Sequence, residues 1–364
     1  MQKFINKIIH GDCIEEMKKI EDLTNKIICS NAIKTLQKIP DESINCVVTS
    51  PPYFNLRSYL DEKNPFKKSE IGLEKTWQNY LENLINIFDE IKRILKKDGT
   101  CFVNIGDSYA GGGKGRNGDG TASKSLNKNN KGTRANILKR CDYGKIQAKS
   151  LMAIPARFQI KMIEHGWINR NDIIWTKVNA MPESVNDRFK KAHEYIFFFT
   201  KNKHYYFDLD SIRTPHKAVS LKRAEYEQGR NALGHNVSSM GKKYNRDKKN
   251  KDGTEKYYSM PARVVKLNPK GAVPPDYFSI NTNCSEQDTI EGHYATFPQS
   301  LIIPLIKAGC PKNGIVCDPF AGSCTTALVA EKLNRKWIMI DISKKYCKIG
   351  QDRMDTFIAQ KRLF

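Results

Sequence analysis

The 364-residue chain is predicted to be an α/β protein in which a mostly parallel sheet is covered by helices on both faces. Two observations lead to that class. Amphipathic helical stretches alternate with short, almost wholly apolar runs, the pattern of strands buried on both sides. Glycine or proline punctuates most junctions between them.

In chain order, Lys7-Ile8-Ile9-His10-Gly11-Asp12-Cys13-Ile14 aligns with Lys26-Ile27-Ile28-Cys29-Ser30-Asn31-Ala32-Ile33 at an offset of 19 residues. Each copy reads strand, turn, short helix, and either a duplicated edge unit or chance similarity accounts for it. Residues 44–48 form a short apolar strand that stops at Thr49-Ser50-Pro51-Pro52-Tyr53. Apolar positions Trp77, Leu81, Leu84, Phe88, Ile91 and Leu95 recur at helical spacing. That helix is expected to stop at Lys96-Lys97-Asp98-Gly99 and to feed the buried strand 100–105. A helix over 155–164 ends at Gly166, and strands follow at 172–175 and 194–200. Helix 298–308, strand 314–317, helix 325–333 and strand 337–340 complete the alternation.

The net charge is +22, and its distribution is uneven. Residues 110–149 carry ten Lys/Arg against two Asp/Glu, and residues 213–270 carry fifteen against five, so the two blocks hold +18 of the excess. Both are rich in Gly, Asn and Ser, as insertions are. A confined excess of this kind suits contact with a polyphosphate backbone better than a generally solvated face does. Ten cysteines stand singly with no C-x-x-C pair, which fits a reducing compartment and excludes a disulfide framework or a zinc knuckle; no metal site is expected. No apolar run approaches the ~20 residues of a membrane span, and the N-terminus lacks the apolar core of a signal peptide, so a cytoplasmic protein is expected.

Two motifs carry chemistry. Ser50-Pro51-Pro52-Tyr53 ends a strand at the carboxyl edge of the sheet, where sites of α/β proteins lie. The prolines offer carbonyl acceptors at fixed angles, the Ser50 hydroxyl is an adjustable donor and acceptor, and Tyr53 supplies a flat face. That set suits the exocyclic amine of a planar base: the amine donates to Ser50 and to the Pro51 carbonyl while the ring stacks on Tyr53. Taken alone, the tetrapeptide also fits a plain proline turn or a polyproline ligand. The second motif, Val316-Cys317-Asp318-Pro319-Phe320-Ala321-Gly322-Ser323-Cys324-Thr325-Thr326, reads as strand, tight turn and helix start, with small residues that let the backbone approach a cofactor. About 19 residues after the turn a strand ends in Asp341, whose carboxylate suits two ribose hydroxyls.

Together these motifs resemble the β class of S-adenosylmethionine-dependent DNA amino-methyltransferases. In that class a Ser/Asp-Pro-Pro-Tyr motif precedes, and an Asp-Pro-Phe-x-Gly-Ser-Gly-Thr-Thr motif follows, a target-recognition region. The resemblance covers nearly the whole chain. It implies a seven-stranded sheet with permuted motif order and S-adenosylmethionine as cofactor. Asp318, Phe320, Ala321, Gly322, Ser323 and Thr325 would surround its amino-acid part, Asp341 its ribose and Asn31 its adenine, while Phe297, in a segment resembling His293-Tyr294-Ala295-Thr296-Phe297-Pro298, would line the methionine side. Ser50, Pro51, Pro52 and Tyr53 would be catalytic, and Asp107 is placed at the pocket.

Two positions depart from the family pattern: Ser30-Asn31 stands where the family has Gly-Asp, which the upstream copy keeps as Gly11-Asp12, so either copy fits the adenine site and spacing favours Asn31; Cys324 stands where the family usually has Gly. A cysteine there is expected to need more room and a normal φ. Ser at the first motif position goes mainly with cytosine N4 in this family, so the implied reaction is methylation of cytosine N4 in double-stranded DNA after base flipping. Adenine N6 methylation, a degenerate nucleic-acid-binding scaffold, and an RNA or protein methyltransferase are the alternatives. The expected organisation is a catalytic half (1–109), a basic loop (110–149), a continuation of the core (150–212), a target-recognition region (213–290) and a cofactor half (291–364). A cognate restriction endonuclease is the implied partner.

Overall fold

Strand β3 (Ile44–Thr49) is buried at all six positions, as a strand covered on both faces must be, and it lies at the middle of the main sheet. The structure is a computed structural model and describes residues 9–10, 20–111, 141–180, 182–232, 243–249, 255–258, 267–282 and 297–361. The other strands of the sheet are β1 (Ile9–His10), β2 (Lys26–Cys29), β4 (Leu95–Ile105), β5 (Ile168–Lys177), β6 (His193–Thr200), β9 (Tyr277–Ile280), β10 (Ile315–Asp318) and β11 (Lys336–Asp341). Their order is β1-β2-β11-β10-β3-β4-β6-β5-β9, nine strands among the described residues. The seven expected strands are its centre, and the short β1 and β9 flank them. Only β6 runs against its neighbours.

Helices cover both faces. On one side α2 (Ala32–Leu36), α3 (Trp77–Ile94) and α4 (Ile154–Glu164) bury Leu36, Leu84, Phe88 and Phe158 against the sheet. On the other, α6 (Gln299–Gly309), α7 (Thr325–Lys332) and α8 (Lys344–Lys361) bury Leu301, Ile306, Leu328 and Met354. The α3 stripe falls on the residues its spacing predicts, and Thr76 caps the helix by accepting from the Asn79 amide at 3.2 Å. The expected stop at Lys96-Lys97-Asp98-Gly99 is not a separate loop. Strand β4 already begins at Leu95, paired with Ile44, and residues 96–99 bulge before Thr100 pairs with Cys46.

The N-terminal repeat is physical pairing. Strands β1 and β2 lie parallel with Ile9 opposite Ile28, the offset of the alignment itself. The turn of the first copy, Gly11-Asp12, lies outside the described residues, as do residues 112–140 of the basic loop and His293 to Thr296. Of the eight described cysteines, seven are buried and all are free thiols. No helix among the described residues is long and apolar enough to cross a membrane.

Residues 209–274 form a compact unit of their own. It holds α5 (Ala218–Ala232) and an antiparallel ribbon of β7 (Lys243–Lys249) and β8 (Glu255–Tyr258). Its two ends are joined where Thr214 pairs with Ala272 and where Asp210 binds Arg213 at 2.6 Å and Lys270 at 2.7 Å. Strand β9, which falls within the region expected as 213–290, adds to β5 in the main sheet.

Candidate active site

Both motifs stand at the carboxyl edge of adjacent parallel strands, since β3 delivers Ser50 and β10 delivers the 318–325 turn. A single buried carboxylate joins them. Asp318 accepts from the Thr49 hydroxyl at 2.6 Å, the Thr326 hydroxyl at 2.8 Å and the Phe320 amide at 3.0 Å. It has no exposed surface. Asp318, expected against the cofactor, ties the end of β3 to the start of α7 through these bonds. Burial pushes its pKa up to about 6, and the three hydrogen bonds oppose that rise.

The catalytic motif is built into a polar network that its four residues do not reveal. The Asn104 amide nitrogen donates to the Glu194 carboxylate and to the Tyr195 carbonyl, both at 3.2 Å. Both partners are pure acceptors, which orients the amide, so its Oδ1 faces the Ser50 hydroxyl at 3.5 Å and the Tyr53 hydroxyl at 3.3 Å. The Tyr53 hydroxyl donates to the other side of the same network, the Glu194 carboxylate, at 2.7 Å. Glu194 is in turn paired with Lys177. Burial and the Glu194 charge push the Tyr53 pKa well above its ordinary value, so the phenol stays neutral. Gly106 lies directly under this ring: a Cβ there would approach the Tyr53 ring to 2.6 Å.

The proline carbonyls differ. The Pro52 carbonyl is taken by the Tyr80 hydroxyl at 2.8 Å, so the expectation of two open acceptors fails for Pro52. No donor among the described residues reaches the Pro51 carbonyl. Asp107, expected at the pocket, is bonded to the start of a helix. Its carboxylate accepts from the Ala153 and Ile154 amides, each at 3.0 Å, and from the Ser108 amide at 2.9 Å, so it caps α4. Ala153 stands at the N-cap position with φ 53° and has no side chain able to cap.

The cofactor motif is a turn locked onto β11. The Ala321 amide donates to the Ile340 carbonyl at 2.9 Å, and the Gly322 amide donates to Asp341 at 2.8 Å. The second Asp341 oxygen accepts from the Ser343 amide at 2.8 Å. Each oxygen keeps a second lone-pair direction, and Asp341 is partly exposed, so the carboxylate can accept from two further hydroxyls. Burial pushes its pKa up to about 6. Ser323 and Thr325 are buried, and the Thr325 hydroxyl is held by Arg353 at 2.9 Å. Phe297 and Phe320 are partly exposed apolar faces.

Both departures from the family pattern are accommodated. Cys324 has φ 60°, the left-handed conformation that glycine adopts freely and that a cysteine pays for with about 1 kcal/mol of strain. The expected normal φ is not found. The room comes from Gly350 of α8, where a Cβ would stand 2.4 Å from the Cys324 sulfur. Asn31 follows β2, the strand beside β11, where the Ser30 amide donates to the Asp341 carbonyl at 3.0 Å. Its side chain caps α2 by accepting from the Lys34 amide at 3.4 Å. The first copy of the repeat, on β1, is one strand farther from Asp341. No cluster able to hold a metal ion occurs among the described residues.

Comparison with known proteins agrees with this architecture. Residues 44–352 match the family described as DNA methylase. The Type II methyltransferase M.XycI of Xanthomonas campestris pv. cyanopsidis is 32% identical over 324 residues, 89% of this chain and 85% of that protein. The Type II methyltransferase M.SmaI of Serratia marcescens is 31% identical over 354 residues, 97% of this chain and 99% of that one. Among solved structures, the PvuII DNA methyltransferase (cytosine-N4-specific) aligns with TM-score 0.55 at 19% identity, covering 90% of this chain and 85% of that one, which speaks to the shared fold. The chain therefore belongs to the DNA methylase family of S-adenosylmethionine-dependent DNA methyltransferases that act on N4 or N6 amines.

Proposed function

We propose that this DNA methyltransferase acts on the N4 amine of cytosine in duplex DNA, with the target base flipped out of the helix against Tyr53. The observation that carries this reading is Ser50 at the head of the motif, held by Asn104 at 3.5 Å. With the Asn104 nitrogen committed to two acceptors, the Ser50 hydroxyl donates to Asn104 Oδ1 and turns its lone pairs outward. Ser50 and the Pro51 carbonyl then accept the two hydrogens of the target amine. That pull localises the nitrogen lone pair, which is otherwise spread into the ring, and aims it.

The cofactor supplies an electrophilic sulfonium-bound methyl group. Asp341 would hold its ribose and Asn31 its adenine, Phe297 and Phe320 would line its methionine part, and Ala321, Gly322, Ser323 and Thr325 would form the turn around it. Asp318 acts as a positioning residue through Thr49 and Thr326. The transfer passes through no covalent enzyme intermediate, and positioning carries most of the rate. Since a serine hydroxyl is a poor base, the amine proton leaves to water. The basic block 213–270, which falls within the unit 209–274, serves target recognition through phosphate and base contacts. The enzyme works in the cytoplasm, and a restriction endonuclease reading the same site is the partner this function implies.

The test is mass-spectrometric nucleoside analysis of plasmid DNA incubated with the protein and S-adenosylmethionine. N4-methylcytosine is expected; N6-methyladenine would overturn the choice of base.

A further inference from the structure

The loop between β5 and β6 exposes an aromatic side chain that packs against nothing in the core. Phe189 is 97% exposed, the most exposed large apolar residue described. Its neighbours are pinned. The Arg188 guanidinium lies 4.2 Å from the centre of the Tyr109 ring and bonds Glu183 at 2.8 Å and the Phe189 carbonyl at 3.0 Å. The Lys190 ammonium reaches across the loop to the Ala180 carbonyl at 3.3 Å, and Lys191 is bonded to the Asp107 carbonyl. A loop tied at the three basic residues that flank Phe189 has a defined path, and it leaves the phenyl ring exposed.

The position of this ring follows from the sheet. Because β6 runs antiparallel to β4, its first residues lie at the carboxyl end of β4: Tyr195 pairs with Ile105, and Glu194 reaches the Tyr53 hydroxyl at 2.7 Å. Phe189 is five residues before Glu194, and Lys191 is bonded one residue from Gly106, on which the Tyr53 ring rests. The exposed ring therefore stands on the catalytic edge, inside the basic run Arg188-Phe189-Lys190-Lys191.

From this geometry we infer that Phe189 is a wedge that enters the base stack of the DNA when the target base leaves it. An exposed phenyl ring between cations complements a duplex with its base flipped, where phosphates flank an apolar gap. The ring fills that gap and removes part of the unstacking cost, while Arg188 and Lys190 lie against the backbone. This inference rests on the DNA base-flipping reading above.

The test compares wild type, Phe189→Ala and Phe189→Leu on two duplex oligonucleotides carrying the site mapped by sequencing methylated plasmid. One is fully paired; the other has an abasic position opposite the target base, so that flipping costs little. Phe189→Ala is expected to lower kcat/KM on the paired duplex roughly 30-fold and to come within about 3-fold of wild type on the abasic duplex. Phe189→Leu keeps an apolar wedge and should fall between them. Near-normal kcat/KM on paired DNA, or an equal loss on both duplexes, would overturn the wedge. A merely structural role gives that equal loss. Absence of methyl transfer to any DNA by the wild type would instead overturn the reading on which the wedge rests.

Discussion

The Tyr53 hydroxyl donates to the Glu194 carboxylate at 2.7 Å, although the two residues are 141 positions apart in the chain. The pairing of β4 with β6 brings them together, and Asn104 bridges the same carboxylate to Ser50. Glu194 thereby fixes which way every hydroxyl and amide in the network points. Ser50 is left with its lone pairs free to accept, as the proposed function requires.

Replacing Ser50 with Ala should abolish methyl transfer while leaving DNA retention in place. Ser50 is partly exposed at the end of β3, and the bond it gives up is the long one to Asn104 Oδ1 at 3.5 Å, while the Asn104 nitrogen keeps its bonds to Glu194 and the Tyr195 carbonyl. Transfer of a radiolabelled methyl group, followed alongside gel retardation of DNA, reads both. Normal turnover in this variant would falsify the catalytic assignment of the motif.

Glu194→Gln should lower kcat roughly 10- to 100-fold with little change in KM for DNA, because it weakens charge-assisted bonds to Tyr53, Asn104 and Lys177 without touching the DNA surface. A glutamine can present its own NH2 to Asn104, which permits the amide to flip and Ser50 to point its hydrogen outward. Steady-state kinetics with DNA varied at saturating cofactor make the measurement. A rise in KM with kcat unchanged would count against positioning.

Gly350→Ala should destabilise the protein, since the new Cβ would stand 2.4 Å from the Cys324 sulfur. Cys324→Gly removes that sulfur and the left-handed strain together, and on its own should shift stability by no more than about 1 kcal/mol. Combined, the two changes should be less harmful than their sum. Thermal melts of the four proteins form the double-mutant cycle, and additivity would show that the two residues do not share space.

The pH dependence has a defined sign. Asp318 has a pKa of about 6 in the fold against 3.8 ordinarily, so the folded state holds its proton more tightly than the unfolded chain does. Stability relative to Asp318→Asn should therefore fall as pH rises from about 4 to about 6, and level off above. Denaturant titrations across that range test it, and a rising difference would contradict the role of burial. Asp341, also raised to about 6, becomes a poorer acceptor when protonated. Calorimetric affinity for S-adenosylmethionine should accordingly weaken as pH drops through about 6, and Asp341→Asn should remove that dependence.

Much of this protein is legible in its residues. The apolar stripe of α3 marks a helix because nothing else buries Leu81, Leu84, Phe88 and Ile91 on one side. Ser50-Pro51-Pro52-Tyr53 and the 318–325 turn declare themselves because strand ends with short, small or rigid residues are local features. Glu194 and Lys177 gave no such signal: a charged residue at the start of an aromatic strand and one at the end of another are ordinary. Asn104 is the readable clue, an amide inside a buried apolar run, because a buried amide needs polar partners.

The sequence alone determined the order of strands and helices, the two motifs and the cofactor chemistry they imply, because each depends on residues close together in the chain. Tertiary structure decided what each acid bonds within the fold. Thr49 and Thr326 donate to Asp318, and the amides at the start of α4 donate to Asp107, partners that lie far away in the sequence or that no local pattern assigns. It also set the polarity of Ser50 through a glutamate on β6, a strand whose antiparallel placement no local pattern encodes. Hydrogen-bond partners are chosen by packing across the sheet, and that packing exists only once all nine strands are in register.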